Sequence, residues 1–144
     1  MTEIAFHFNL PDKTAYVCRL LRKAVARGAR VVVSGNQPLM DELDKALWSF
    51  SATDFVPHCA ASGDAAMVDA SPVVLGVEAN AAPHHDVLLN LADEVPAGFE
   101  RFNRVIEVVG AGDQDRAMSR RRWKLYQDRG YSIVRHDLAR KESD

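Results

Sequence analysis

Hydrophobic and polar positions change places in short runs along the whole chain. The half-alternating stretch Ile4-Ala5-Phe6-His7-Phe8 predicts a strand. After Asp12, apolar residues recur at Ala15, Cys18, Leu21 and Val25. That three-or-four spacing predicts a helix, with Asp12 as its cap. Arg22, Lys23 and Arg27 suit the negative end of its dipole, and Gly28 supplies the left-handed residue that stops it. The β-branched run Val31-Val32-Val33 reads as a strand buried on both faces. Asn36 and Pro38 open a second helix, with Leu39, Leu43, Ala46, Leu47 and Phe50 as its apolar stripe. Pro72 to Leu75 and Val87 to Leu91 are further short apolar runs. Arg104 to Val109 predicts a strand, Asp113 to Arg129 a helix closed by Gly130, and Tyr131 to Val134 the last strand. Strands spaced by helices predict an α/β sandwich around a largely parallel sheet with right-handed connections. Strand order does not follow from the pattern.

No internal repeat or linker divides the chain, so residues 1–138 read as one domain and the polar stretch 139–144 as a frayed tail. Its 144 residues, 47% hydrophobic and 26% charged, suffice for a core and argue against disorder. No apolar run approaches the roughly 18–20 residues of a membrane span. The first residues have neither a basic stretch nor a long apolar one, which argues against a secretory signal. The two cysteines, Cys18 and Cys59, exclude a disulfide-stapled scaffold, and the expected compartment is the cytoplasm. The net charge of −2 speaks against a dedicated duplex-DNA binder.

The chemistry of a nucleotide enzyme is thin here. The one GxG, Gly110-Ala111-Gly112, lacks the third glycine of a dinucleotide fingerprint, and no GxxxxGK[ST] loop occurs. His84-His85-Asp86 has metal-ligand residue types, but neighbours in an extended segment point to opposite faces, and no second cluster accompanies it. His58-Cys59 brings a thiol next to a base without a third group to orient them. Cys18 falls on the apolar stripe of the first helix, as a core residue would. No cofactor, metal or intrinsic catalysis is expected.

Two surfaces stand out instead. The late helix carries Arg116, Arg120, Arg121, Arg122, Lys124 and Arg129. Arg116, Arg120, Trp123 and Gln127 share a face, while Met118 and Leu125 are expected inward. Guanidinium groups beside an indole suit a partner with carboxylates or phosphates and an apolar group. The competing account is a solvated helix face with Trp123 packed inside. The second surface is Trp48 with Phe55-Val56-Pro57, at the edge of the second helix stripe. Large aromatics at such an edge read equally as a protein-binding patch or as core.

In order along the chain stand Phe6-His7-Phe8, Arg27-Gly28, Leu43-Asp44-Lys45-Ala46-Leu47-Trp48 and Phe55-Val56-Pro57-His58. They are followed by Phe102-Asn103-Arg104-Val105-Ile106-Glu107, Arg120-Arg121-Arg122-Trp123-Lys124-Leu125-Tyr126 and Gly130-Tyr131. The combination LDxxLW, FxPH, RxRxxxY and GY, across nearly the whole chain, resembles the chi subunit family of bacterial DNA polymerase III. The resemblance implies a Rossmann-like, three-layer α/β/α sandwich with no nucleotide-binding site. It implies a non-catalytic subunit of the polymerase holoenzyme that touches DNA only indirectly. One surface of such proteins binds the psi subunit of the clamp loader, which maps to Trp48, Phe55, Val56 and Pro57. Another binds the acidic, phenylalanine-ended tail of single-stranded DNA-binding protein, which maps to Arg116, Arg120, Trp123 and Lys124. In some relatives a helicase-like repair protein uses the aromatic surface. Trp123 stands where relatives often have tyrosine, and the segment from Gly110 to Asp115 is short for the family. The alternatives from other classes are a small nucleotide-binding enzyme and a direct DNA-binding module using the late helix.

Overall fold

Residues 1–49, 56–76 and 78–138 are described by a computed structural model of the chain. These residues form seven strands and four helices in the order β1 (Glu3–Leu10), α1 (Lys13–Ala26), β2 (Val31–Ser34), α2 (Gln37–Ser49), β3 (His58–Ala60), α3 (Ala65–Ala70), β4 (Val73–Leu75), β5 (Val87–Asn90), β6 (Arg104–Gly110), α4 (Asp113–Asp128) and β7 (Ile133–Asp137). Single 3₁₀ turns at Ala79–Ala81 and Phe99–Arg101 lie before and after β5. Local chemistry explains the helix starts. The Asp12 carboxylate accepts the Ala15 N–H at 3.1 Å, and Asn36 Oδ1 accepts the Leu39 N–H at 2.9 Å, so each satisfies an orphan donor of its first turn. Gly28, at φ 82°, ends α1 in the left-handed region.

The strands form one sheet in the order β3-β4-β2-β5-β6-β1-β7, with every pairing parallel. Alternation through the strands splits the core in two. Val31, Val33, Leu89, Ile106 and Val108 point to one face and meet Val17, Leu21, Met40, Leu43 and Leu47 of α1 and α2. Ile4, Phe6, Val32, Leu88, Val105 and Val109 point to the other and meet Tyr126 of α4 with Phe99 and Phe102. This is the expected three-layer α/β/α, Rossmann-like arrangement.

Several boundaries and faces differ from expectation. β3 and α3 were not legible, because three strand residues and six helical residues span fewer than two periods of their patterns. Met40 replaces Leu39 and Ala46 as a buried residue of α2. On α4 the inward residues are Arg122 and Tyr126, whereas Met118 and Leu125 lie half-buried at its edges. Phe50, Phe55 and the expected tail 139–144 fall outside the described residues.

Candidate binding cleft and aromatic patch

β1 ends irregularly, and that irregularity shapes a cleft. Asn9 takes φ 64°, the register between β1 and β6 slips after His7, and Leu10 is returned to the α1 side. Asn9 is held there by donating from Nδ2 to Asp137 of β7 at 2.8 Å. Phe6 and Phe8 stay on the α4 side and, with Val109, floor a cavity of about 460 Å³. Trp123 forms one wall and is half-buried, its ring centroid 5.0 Å from that of Phe6. Arg116 and Arg120, one turn apart and both exposed, line the rim with Ser119 between them. Arg135 of β7 closes the opposite side. Its guanidinium lies 5.3 Å from the Phe8 ring and 5.8 Å from the Trp123 ring. Three guanidinium groups over an aromatic floor make a site for an anionic chain that also carries an apolar side chain.

Arg116, Arg120 and Trp123 are therefore brought together as the helical spacing predicts. Lys124 is not part of the cleft. It turns away from Trp123 and pairs with Asp128 one turn on, at 3.2 Å. Gln127, on the predicted face, does not line the cavity either. Arg135, Phe6 and Phe8 were missed as site residues. Same-face placement of Phe6 and Phe8 was a signal, but Arg135 reaches the site only because β7 lies beside β1.

Arg122 departs most from the sequence reading. It belongs to the interior. Its Nε donates to Glu107 Oε1 at 2.8 Å and its Nη1 to the Asp93 carbonyl at 3.0 Å. Glu107 also accepts from Tyr126 Oη at 2.7 Å and Asn90 Nδ2 at 2.9 Å, and Ser34 Oγ donates to Asn90 Oδ1 at 2.8 Å. Burial pushes the Glu107 carboxyl upward, opposed by the Arg122 charge and the donated hydrogen bonds. Burial and the Glu107 charge push the Tyr126 phenol up, so it remains a donor. The cationic surface of α4 is correspondingly smaller than its composition implies.

The second region lies at the end of α2. Trp48 is 64% exposed, the largest exposed aromatic among the described residues. Pro57, next to His58 in the sequence, is exposed, but Val56 is 1% exposed and belongs to the core with Leu47. Of the four residues assigned to this surface, Trp48 and Pro57 present side chains outward and Val56 does not, while Phe55 lies outside the described residues.

The other motifs have structural occupations. The Gly110 N–H, at the GxG turn, is taken by Asp115 Oδ2 at 2.6 Å, and Lys13 Nζ reaches the same oxygen at 3.0 Å. Burial raises the Asp115 carboxyl, but these two donors outweigh it and hold it below its ordinary range. A protein carboxylate thus occupies the turn where a Rossmann fold would receive phosphate. His84 is buried, and burial, helped by Arg30, lowers its pKa. His85 packs on Phe102 at 5.3 Å, and Asp86 accepts the Arg30 N–H at 3.1 Å, so the three residues serve separate ends. Among the described residues no group of three His, Cys, Asp or Glu is placed to hold a metal ion. Cys18 and Cys59 are both buried, and burial raises the Cys18 thiol. No helix among the described residues is long and apolar enough to cross a membrane.

Comparison with known proteins covers the same span as these features. A family model described as "DNA polymerase III chi subunit, HolC" matches residues 1–134. The DNA polymerase III subunit chi of Pseudomonas aeruginosa is 36% identical over 124 residues, covering 85% of this chain and 84% of the relative. The subunit chi proteins of Haemophilus influenzae and Escherichia coli are 26% and 25% identical, each across 81% of this chain and 81% and 80% of the relative.

Proposed function

Since the chain belongs to the chi subunit family of DNA polymerase III, we propose that it acts in replication as a non-catalytic adaptor, one surface gripping the psi subunit of the clamp loader and another the acidic tail of single-stranded DNA-binding protein. The observation that carries the tail half is the cleft between α4, β1 and β7. Arg116, Arg120 and Arg135 surround an apolar floor of Phe6, Phe8 and Val109 walled by Trp123. Arginine stays charged at any working pH and matches carboxylates bidentately. Exposed ion pairs alone are weak at cellular salt, so the apolar floor is what a terminal phenylalanine would add. Such a small site with a disordered ligand is expected to bind in the micromolar range, roughly −8 kcal/mol.

The psi half rests on Trp48, whose exposed indole is a suitable anchor for an apolar partner. Pro57 extends that patch, and Phe55 stands next to it in the sequence. Two features weigh against the alternatives. The Asp115 carboxylate fills the GxG turn that a nucleotide phosphate would need. Arg122 is withdrawn from the helix surface that a direct DNA contact would use.

The test of the tail reading is titration of a labelled peptide with the acidic, phenylalanine-ended sequence. Wild-type protein is expected to bind it, Arg120→Ala to weaken binding at least tenfold, and a peptide lacking the last phenylalanine to lose most of its affinity. Equal affinity of wild type and Arg120→Ala refutes the assignment.

A further inference from the structure

Two sequence motifs flank the aromatic patch, and one side-chain hydrogen bond joins them. Asp44 and Trp48 are four residues apart on α2, so they share a face of the helix. His58, the first residue of β3, packs against both. Its Nε2 lies 2.9 Å from Asp44 Oδ1, and its Nδ1 lies 2.7 Å from the Val56 carbonyl oxygen. The Trp48 ring stands edge-on to the imidazole, with centroids 5.5 Å apart and planes at 63°. The His58 side chain is 1% exposed, whereas that of Asp44 is 45% exposed and Trp48 is open to solvent.

The Val56 carbonyl lies at one imidazole nitrogen and the Asp44 carboxyl at the other. A ring held at both nitrogens is fixed in position and in plane. An edge-to-face contact then has a fixed platform on which to seat the indole. An exposed tryptophan without such a platform samples several rotamers and must be ordered when a partner binds.

We propose that the Asp44–His58 pair is a positioning device that holds the Trp48 indole ready for an apolar partner. The proposal rests on the reading of Trp48 as the psi contact. Asp44 and His58 are then positioning residues: their loss changes the indole's setting without removing any group that reaches the partner. The Asp of LDxxLW and the His of FxPH are explained together by that one contact.

The chain has two tryptophans, so labelling with 5-fluorotryptophan gives one ¹⁹F resonance for Trp48 and one for Trp123. Asp44→Ala and His58→Phe are expected to shift the Trp48 line and leave the Trp123 line, an internal monitor of the fold, in place. Both variants are expected to bind purified psi about tenfold more weakly. Asp44→Asn, which keeps an acceptor oxygen, is expected to fall between them and wild type. Should Trp48→Ala weaken psi binding while Asp44→Ala and His58→Phe bind like wild type, the positioning role is wrong and the patch stands. Unchanged psi binding by Trp48→Ala sinks the patch reading, and the proposal with it. Asp44 is half-exposed, so its replacement gives the result even where His58→Phe disturbs packing.

Discussion

Arg122 of α4 and Glu107 of β6 meet at 2.8 Å, with the two side chains 4% and 0% exposed. The pair ties the helix that carries Arg116 and Arg120 to the centre of the sheet. Every oxygen of the carboxylate is engaged, by Arg122 on one side and by Tyr126 and Asn90 on the other. Such a network fixes the rotation of α4 about its axis, and with it which arginines face the cleft.

Arginines on one helix are therefore expected to behave in opposite ways. Arg122→Ala leaves Glu107 buried without its cation and is expected to cost about 3–5 kcal/mol of stability. Arg116→Ala and Arg120→Ala remove exposed groups and are expected to change stability by less than about 0.5 kcal/mol. Urea denaturation of the three variants checks this. Equal stability of Arg122→Ala and Arg120→Ala contradicts the placement.

Strands β1, β2, β6 and β7, the apolar runs that become β4 and β5, three of the helices and the double-sided burial of Val31 to Val33 were legible in the sequence, because local residue patterns record them. So was the convergence of Arg116, Arg120 and Trp123, since helix geometry alone puts them on one face. The inward role of Arg122 was not legible. Its partner Glu107 is 15 residues away on another element, and nothing local separates a buried arginine from its solvated neighbours. Arg135 was missed for a similar reason, because a contribution from β7 requires knowing that β7 lies next to β1. The burial of Val56 was hidden because the pairing of β3 with β4, which follows it, is non-local.

Arg135 gives a second prediction. It is anchored over Phe8 and Trp123 and faces Arg116 and Arg120 across the cavity. Arg135→Ala is expected to weaken acidic-peptide binding about three- to tenfold and to lower its dependence on salt, with the fold retained. Fluorescence titrations from about 0.05 to 0.5 M salt measure both quantities. An unchanged salt dependence removes Arg135 from the site.

Acid should destabilise the protein partly through His7. Its ring is half-buried on the α1 side of β1, hydrogen-bonded to the Tyr16 hydroxyl and packed 4.5 Å from His136. Burial first, then the charges of His136 and Arg104, lower its pKa from 6.5 to about 4. Between those values the unfolded chain binds the proton and the folded one does not. The contribution is complete above about pH 6.5 and is lost as the pH falls towards 4. After allowance for partial exposure it is on the order of 1–2 kcal/mol. His7→Gln is expected to flatten the fall in melting temperature between these pH values, and parallel curves for variant and wild type contradict it.

Gly98 adopts φ 92° where the chain turns to deliver Phe99 to the α4-side core. A Cβ there would sit 2.2 Å from Asn80 Oδ1 and 3.2 Å from the Asn80 backbone nitrogen. Gly98→Ala is expected to cost about 2 kcal/mol, from the left-handed backbone and the forced shift of Asn80. Thermal unfolding reads the loss, and a neutral substitution overturns it.

Two separate surfaces of one scaffold are expected to hold two partners at once. Sedimentation of the protein with purified psi and a fluorescent acidic-tail peptide tests it most directly. A single ternary boundary carrying the label is expected, with Trp48→Ala shedding psi but keeping the peptide and Arg120→Ala doing the reverse. Mutual exclusion of psi and peptide, or loss of both partners from either single variant, would contradict it.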